Sequence, residues 1–109
     1  FVFFIEVISI KVLEYNINSN VVFFDFILVP NILTIRNWES GDEFSPLGMK
    51  GNMKVSDFLS NEKVAILDKP NILVLTTSAN EILWVCQKRI NDKYKISEKT
   101  KRVLKIEIK

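Results

Sequence analysis

The chain has 109 residues, of which 48% are apolar and 26% charged, and its 15 basic and 13 acidic side chains leave a net charge of +2. This length accommodates one domain, and the apolar content excludes wholesale disorder. Histidine is absent and Cys86 is the single cysteine, which argues against metal sites and catalytic triads and excludes an internal disulfide. One unpaired cysteine is compatible with an intracellular, reducing compartment.

The first segment, residues 1–15, reads FVFFIEVISIKVLEY and is predicted to form a buried strand. Glu6 and Lys11 interrupt its apolar residues, and it lacks a basic leader and a cleavage site, so neither a membrane span nor a signal peptide fits. Because the chain begins with phenylalanine, we expect a fragment of a longer protein. Two further strands are predicted at 21–28 and 32–36, with polar and proline residues between the segments.

The next segment, residues 41–59, contains all three glycines of the chain. Gly48 and Gly51 flank Lys50 and precede Lys54. This arrangement fits either two turns that lead into a helix or a loop whose amides bind an anion. This loop also matches the G-x-x-G pattern of KH domains, but a nearby proline leaves little room for the helix that such a loop requires. A helix is predicted at 54–63, because apolar residues recur there at helical spacing.

Two apolar runs, at 72–77 and 82–86, flank a short polar loop and are predicted to form a buried β-hairpin. Trp84 lies in the second run. We interpret it as a core residue, and Trp38 likewise, because tryptophan buries a large apolar area. No aromatic residue of the sequence is an evident platform for stacking a nucleobase.

The last 22 residues, 88–109, carry nine basic side chains against three acidic ones, a local charge of +6. This charge indicates a polyanionic partner, and a solvated protein face is the alternative. Alternation in 103–108 predicts a strand with Lys105 and Glu107 on its wet face, and Ser97 is predicted to cap a single helical turn. The predicted elements indicate an α+β fold, mainly antiparallel strands with one or two short helices.

From about Leu33 onward the sequence resembles the C-terminal domain of bacterial tRNA(Ile)-lysidine synthetases. The matching motifs keep their order and spacing, which makes the resemblance fairly specific. They are LTIR at 33–36, GDEF at 41–44, PLGM at 46–49, KVSDFL at 54–59, KV at 63–64, ILWV at 82–85, RIND at 89–92, YKI at 94–96 and TKRVL at 100–104. Gln87 stands near a position where the family often has glycine. Residues 1–32 match weakly and are interpreted as a strand-rich lead-in to a domain at 33–109.

The resemblance implies a substrate-handling role for this chain. The family's enzyme uses ATP with Mg²⁺ to adenylate the wobble cytidine of tRNA(Ile) and then attaches lysine there, and its catalytic domain carries a pyrophosphate loop that this chain lacks. The chain itself is therefore expected to hold no cofactor, metal or catalytic residue. The implied partners are the tRNA(Ile) acceptor stem and the N-terminal catalytic domain of the same polypeptide, in the cytoplasm and without a membrane, and a homodimer is left open. The related fold in the phenylalanyl-tRNA synthetase β-subunit also implies a strand-rich α+β domain.

The residues expected to contact the RNA are basic side chains on turns and strand faces, because a duplex is recognised largely through its shape, phosphates and 2′-hydroxyls. They are Arg36, Lys50, Lys54, Arg89, Lys95, Lys101 and Arg102. Arg36 is alternatively a structural partner of Asp42 or Asp57. A structural module that docks onto its parent enzyme and contacts RNA little is the second hypothesis. An independent enzyme is disfavoured, since histidine and metal ligands are missing.

Overall fold

The computed structural model describes residues 2–13 and 18–109 as two antiparallel sheets, a two-stranded ribbon and one α-helix. Strands predominate, so the α+β fold expected from the sequence is confirmed. Within these described ranges, no helix has both the length and the apolar character needed to cross a membrane.

The first sheet has three strands in the order β1 (Phe3–Ser9), β9 (Arg102–Ile108) and β2 (Val21–Asp25). The last strand of the chain therefore lies between the first two, and both pairings are antiparallel. The side chains of β9 alternate as predicted, since Ile106 is buried and Lys105 is half-buried on the other face. The first two strands thus complete a sheet of the domain instead of preceding it as a separate unit.

The second sheet has four strands in the order β3 (Leu33–Asn37), β6 (Leu73–Thr77), β7 (Ile82–Val85) and β8 (Arg89–Ile90). The predicted hairpin is confirmed as β6 and β7, and all four residues of β7 are buried. The loop of this hairpin contains Asn80 with φ of 63°, a conformation that asparagine tolerates better than most residues.

The ribbon pairs β4 (Glu43–Phe44) with β5 (Met53–Lys54), and β5 leads directly into the helix α1 (Val55–Asn61). The apolar residues whose spacing predicted the helix are all buried, namely Val55, Phe58 and Leu59. Gly48 and Gly51, between the two strands, have φ values of 83° and 76°. These values favour glycine strongly, so both glycines serve the geometry of the turns.

The core consists of two clusters, and β7 contributes to both of them. One cluster joins the two sheets and contains Phe24, Trp84 and Ile106. The other lies beneath α1 and contains Phe44 and Phe58, whose rings meet edge to face with centroids 5.1 Å apart. Trp84 is 1% exposed, and its interpretation as a core residue is confirmed.

Trp38 packs against the second cluster and remains half-buried. Its indole N–H donates to the carbonyl oxygen of Lys69 at 2.6 Å. This hydrogen bond satisfies the polar edge of the ring while its apolar body covers the core. Trp38 therefore contributes to the core, as expected, but from the edge of the second cluster.

Some predicted elements are longer than the observed ones. The strand expected at 1–15 ends at Ser9, whose hydroxyl accepts from the amide of Lys11 and starts the 3-10 helix Ile10–Val12. Phe1, Glu14 and Tyr15 of that expectation lie outside the described residues. A side chain that bonds its own backbone in this way competes with a strand ladder, which explains the early end.

The same effect ends the second predicted strand, 21–28, at Asp25. Its carboxylate accepts from the amide of Ile27 at 3.3 Å, and the 3-10 helix Phe26–Leu28 follows. The helix predicted at 54–63 is shorter because Lys63, with φ of 58°, has left the helical conformation. The strands β4, β5 and β8 were not predicted, since a strand of two residues shows no periodicity.

Candidate nucleic-acid interface

Residues 95–102 form a basic segment that a buried polar contact fixes to the end of β2. The amide of Thr100 donates to the carbonyl oxygen of Ser97 at 3.1 Å, and the Thr100 hydroxyl donates to Oδ2 of Asp25 at 2.9 Å. Thr100 and Asp25 are 5% and 7% exposed, so water does not compete with this hydrogen bond. The single turn predicted after Ser97 is present: the hydroxyl of Ser97 accepts from the amide of Lys99, and the turn is hydrogen-bonded but does not continue into a helix.

Six basic side chains line two concavities, one near each end of β2, and we call them the basic band. They are Lys88, Arg89, Lys95, Lys99, Lys101 and Arg102. The first three line a pocket that also includes Val21, and the last three line a smaller one that includes Asp25. Val21 and Asp25 are four positions apart on an extended strand, which places the two concavities roughly 13 Å from each other along β2. Positive charge therefore lies near both ends of β2.

The side chains of the band are held to different degrees. Arg89 and Lys95 pair with the carboxylates of Glu62 and Asp92 at 3.4 and 3.1 Å. Such partly exposed pairs contribute little to stability, so a phosphate can replace the carboxylate at small cost. Arg102 is held by the Phe26 ring, 4.8 Å from its centroid. Across the described part of the chain, three other members have no side-chain partner, namely Lys88, Lys99 and Lys101.

The loop between β4 and β5 is attached next to the band. The amide of Leu47 donates to the carbonyl oxygen of Ile90 at 3.0 Å, and both residues line the pocket near the start of β2. Lys50 lies further along this loop, is exposed, and has no side-chain partner among the residues described. Lys54 is also exposed and lies opposite Glu43 in the ribbon, immediately before α1. The structure thus places the loop of Lys50 beside the band and Lys54 at the start of the helix.

Arg36 lies apart from the band, on β3. Its guanidinium donates to both carboxylate oxygens of Asp42 at 2.9 Å and to the side-chain oxygen of Asn80 at 3.0 and 3.2 Å. The Arg36 and Asp42 side chains are 20% and 11% exposed. Asp42 is therefore the structural partner of Arg36, and Asp57 is not. The RNA contact expected of Arg36 stays a prediction, and it requires this pair to open.

The charge of Asp42 contributes to stability. Hydrogen bonds from Arg36 hold the pKa of the carboxyl below its ordinary value, although burial acts in the opposite direction. We expect Asp42→Asn to lower the free energy of unfolding at pH 7 by about 1–3 kcal/mol, because a charged, two-pronged hydrogen bond is lost at nearly constant size. Because the pKa of Asp42 is lower in the folded chain than in the unfolded chain, its carboxylate stabilises the fold fully above about pH 4. This stabilisation is lost as the pH falls through the folded-state pKa.

Urea unfolding at pH 7 and pH 3 measures the effect of Asp42→Asn. The difference between the wild type and the variant should be smaller at pH 3. Asp57→Asn is the control, since Asp57 is exposed and has no ion-pair partner among the described residues. That control should change the free energy of unfolding by less than about 1 kcal/mol, as a carboxylate in the first turn of a helix does. An effect of Asp42→Asn that did not vary with pH would contradict the role of its charge.

The other reactive side chains form no evident catalytic site. Among the described residues, no group of three or more cysteine, aspartate and glutamate side chains is placed to hold a metal ion. Cys86 is buried, and its burial raises the pKa of the thiol to about 12, which keeps it unreactive at neutral pH. The hydroxyl of Tyr94 donates to Glu81 and ties the segment after β8 to the β6–β7 loop.

The prediction from sequence omitted two members of the basic band, Lys88 and Lys99. Both lie in the basic last 22 residues, and each directly precedes a motif of the resemblance without belonging to it. The local charge was the available signal. Their place beside β2 depends on contacts between distant parts of the chain, which the sequence does not display.

The sequence is similar to tRNA(Ile)-lysidine synthases of several bacteria. It is 38% identical over 87 residues to that of Parabacteroides distasonis, 33% over 94 residues to that of Caldanaerobacter subterraneus, and 36% over 91 residues to that of Clostridium acetobutylicum. These alignments cover 80%, 86% and 84% of this chain but 20% of each relative. The chain thus spans about one fifth of the length of these relatives, in their C-terminal part. No family model matches the chain.

Solved structures share the fold. The crystal structure of a TILS C-terminal domain matches 96% of this chain and 80% of its own with a TM-score of 0.79 at 15% identity. An N-terminal fragment of the phenylalanyl-tRNA synthetase β-subunit from Pyrococcus horikoshii matches 79% of this chain and 27% of its own with a TM-score of 0.68 at 22% identity. The resemblance found in the sequence is confirmed: this chain is homologous to the C-terminal domain of tRNA(Ile)-lysidine synthases.

Proposed function

We propose that this chain is the tRNA-binding C-terminal domain of a tRNA(Ile)-lysidine synthase and that its basic band contacts the acceptor stem of tRNA(Ile). The observation that carries the proposal is the band itself, which places six cations near the two ends of β2. Phosphates repeat along a duplex stem, so a strip of lysines and arginines binds it without reading its bases. Lys50, Lys54 and Arg36 are further proposed contacts outside the band.

In this proposal the chemical steps belong to the rest of the enzyme. The parent synthase joins lysine to the wobble cytidine with ATP and Mg²⁺ bound in its N-terminal catalytic domain, in the cytoplasm. This chain holds the far end of the tRNA and forms no lysidine by itself. The buried thiol of Cys86 and the paired state of Tyr94 support this division of labour, since neither side chain is available as a nucleophile or base.

The proposal predicts strongly salt-dependent binding of tRNA. If about five phosphates are neutralised, the logarithm of the association constant should fall with the logarithm of the salt concentration at a slope of roughly −3.5 to −4.5, because each contact releases condensed counterions. Fluorescence anisotropy of labelled tRNA(Ile), titrated at salt concentrations between about 50 and 200 mM, measures the slope. Binding that does not change with salt would exclude a phosphate-contacting band.

A second candidate function, docking onto the parent enzyme, is favoured by an apolar groove beside the edge strand β1. The groove has a volume of about 410 Å³, and its apolar side chains include Ile5, Val7, Phe26 and Val29. Ile5 and Val7 are 58% and 45% exposed, which is typical of a surface that a partner covers. Because the chain spans about one fifth of its relatives, we assign this groove to the remainder of the synthase, with a homodimer as the other occupant. Phe26 lines both this groove and the concavity near the end of β2, so the docking surface adjoins the basic band.

A further inference from the structure

A pocket of about 390 Å³ opens at the end of the basic band near the start of β2. Its less exposed lining is apolar and comes from four separate parts of the chain, with Val22, Trp84, Ile90 and Ile96. Its charged lining consists of Lys88, Arg89 and Lys95, and no carboxylate is among the described residues that line it. A concave site with an apolar floor and a few polar groups is the usual form of a small-ligand site.

Trp84 adds a hydrogen-bond donor to this pocket. Its indole N–H makes no hydrogen bond to another residue in the described ranges. Since every fully buried side-chain nitrogen and oxygen atom described has a partner, this nitrogen must be accessible. Trp84 is 1% exposed and lines the pocket, so the small accessible part of its edge is available to a ligand acceptor there.

These features favour a nucleotide as the ligand. A nucleobase has apolar faces that pack on aliphatic side chains and acceptors on its edge that suit an indole N–H, and its phosphates suit the lysines and the arginine. A base inside a duplex shows neither its faces nor most of its edge. The pocket therefore fits a nucleotide that has left the stack, and bases in single-stranded ends are the ones that RNA-binding proteins recognise in this way.

We infer that this pocket binds one unstacked nucleotide from the single strand that continues beyond an RNA stem. The inference rests on the proposed function, because it requires a stem lying along the basic band. It adds a contact to a base on a surface that otherwise contacts phosphates. Lys88, which has no partner in the described chain, holds the phosphate of that nucleotide.

Two RNA hairpins with the same stem test the inference, one blunt and one with a four-nucleotide 3′ single strand. We expect this chain to bind the second about tenfold more tightly, which corresponds to about 1.4 kcal/mol, because one base packs on the apolar floor and its phosphate meets Lys88. The ratio of the two dissociation constants is the informative quantity, since phosphate contacts to the stem cancel in it. Equal dissociation constants overturn the inference and leave the proposed function intact. Failure to bind either hairpin contradicts the proposed function itself.

Two variants locate the preference. Ser19→Trp fills the pocket from its exposed rim, and Lys88→Ala removes its unpaired cation. Both should bring the ratio close to 1. Ser19→Trp should leave binding of the blunt hairpin unchanged, whereas Lys88→Ala also removes a cation of the basic band and should weaken binding of both hairpins. Lys69→Ala is the control, because this lysine bonds Ser60 away from the pocket, and it should keep the tenfold ratio. A preference that survives both pocket variants places the single strand elsewhere and overturns the inference.

The fluorescence of Trp84 gives a second readout. In a Trp38→Phe background it is the one remaining tryptophan of the chain. The hairpin with the single strand should change its emission, and the blunt hairpin should not. A free mononucleotide that binds the pocket as tightly as the single strand would assign it to a soluble nucleotide instead. An acidic peptide that displaces the single strand at equal concentration would assign it to a protein partner, and either result overturns the inference.

Discussion

Phe58→Ala should lower the free energy of unfolding by about 3–5 kcal/mol, as expected for a large aromatic side chain removed from a core. The Phe58 ring is 2% exposed, packs edge to face on Phe44 at 5.1 Å, and lies 5.4 Å from the guanidinium of Arg89. Its loss opens a cavity beneath α1. With seven residues, α1 has two turns, and its other apolar side chains, Val55 and Leu59, are already buried.

Thermal unfolding followed by circular dichroism measures this effect, and the midpoint should fall by more than about 10 °C for a domain of this size. Leu67→Ala is the control, since Leu67 is 87% exposed, and it should leave the midpoint nearly unchanged. Phe58→Leu keeps most of the volume and should lose less than half as much stability. A loss below about 1 kcal/mol for Phe58→Ala would show that α1 does not cover a core.

The same substitution connects the core to the RNA-binding surface. Arg89 belongs to the basic band, and Phe58 and Glu62 of the α1 region hold its guanidinium. A cavity under the helix therefore loosens a cation of the band as well as the fold. Phe58→Leu keeps most of the side-chain volume and should remain folded. It should nevertheless weaken tRNA binding slightly, because Arg89 loses its contact with the aromatic ring.

How much of the fold the sequence predicted depends on the length of each element. The hairpin, α1 and the alternation of β9 were predictable because apolar residues recur there over at least four positions. The strands β4, β5 and β8 have two residues each, which is too short for a period. The order β1, β9, β2 pairs residues nearly a chain length apart, and no local pattern reports such a pairing.

The site shows the same division between local and distant information. Charge and the resemblance together identified Arg89, Lys95 and Lys101 as candidates, and these residues line the two concavities near the ends of β2. The sequence left Asp42 and Asp57 open as structural partners of Arg36, and the two-pronged bond to Asp42 depends on the turn after β3. The pocket was not visible either, because its lining comes from β2, β7, β8 and the segment after Tyr94, which only the folded chain brings together.

Reversing two charges near opposite ends of the proposed interface should weaken tRNA binding strongly. Lys50→Glu with Lys101→Glu removes two phosphate contacts, each of which contributes a factor of about 8 at 0.1 M salt, so we expect a loss of roughly 60-fold. The slope of the logarithm of the association constant against that of salt should become shallower by about 2. Both lysines are exposed, and neither has a side-chain partner in the described residues, so folding should be unaffected.

The matched control carries the same change of charge on the loop that follows α1, as Lys63→Glu with Lys69→Glu. Neither of these lysines is a proposed RNA contact, so the loss of affinity should be several-fold at most and the salt slope nearly unchanged. The two double variants have identical net charge, and a long-range effect of charge would weaken binding equally in both. If the proposed contacts have a specific role, the variant at Lys50 and Lys101 must lose more tRNA affinity than the control. If the variant at Lys50 and Lys101 kept the wild-type tRNA affinity in the full synthase but lost its docking to the rest of the enzyme, the docking function would replace RNA binding as the purpose of this domain.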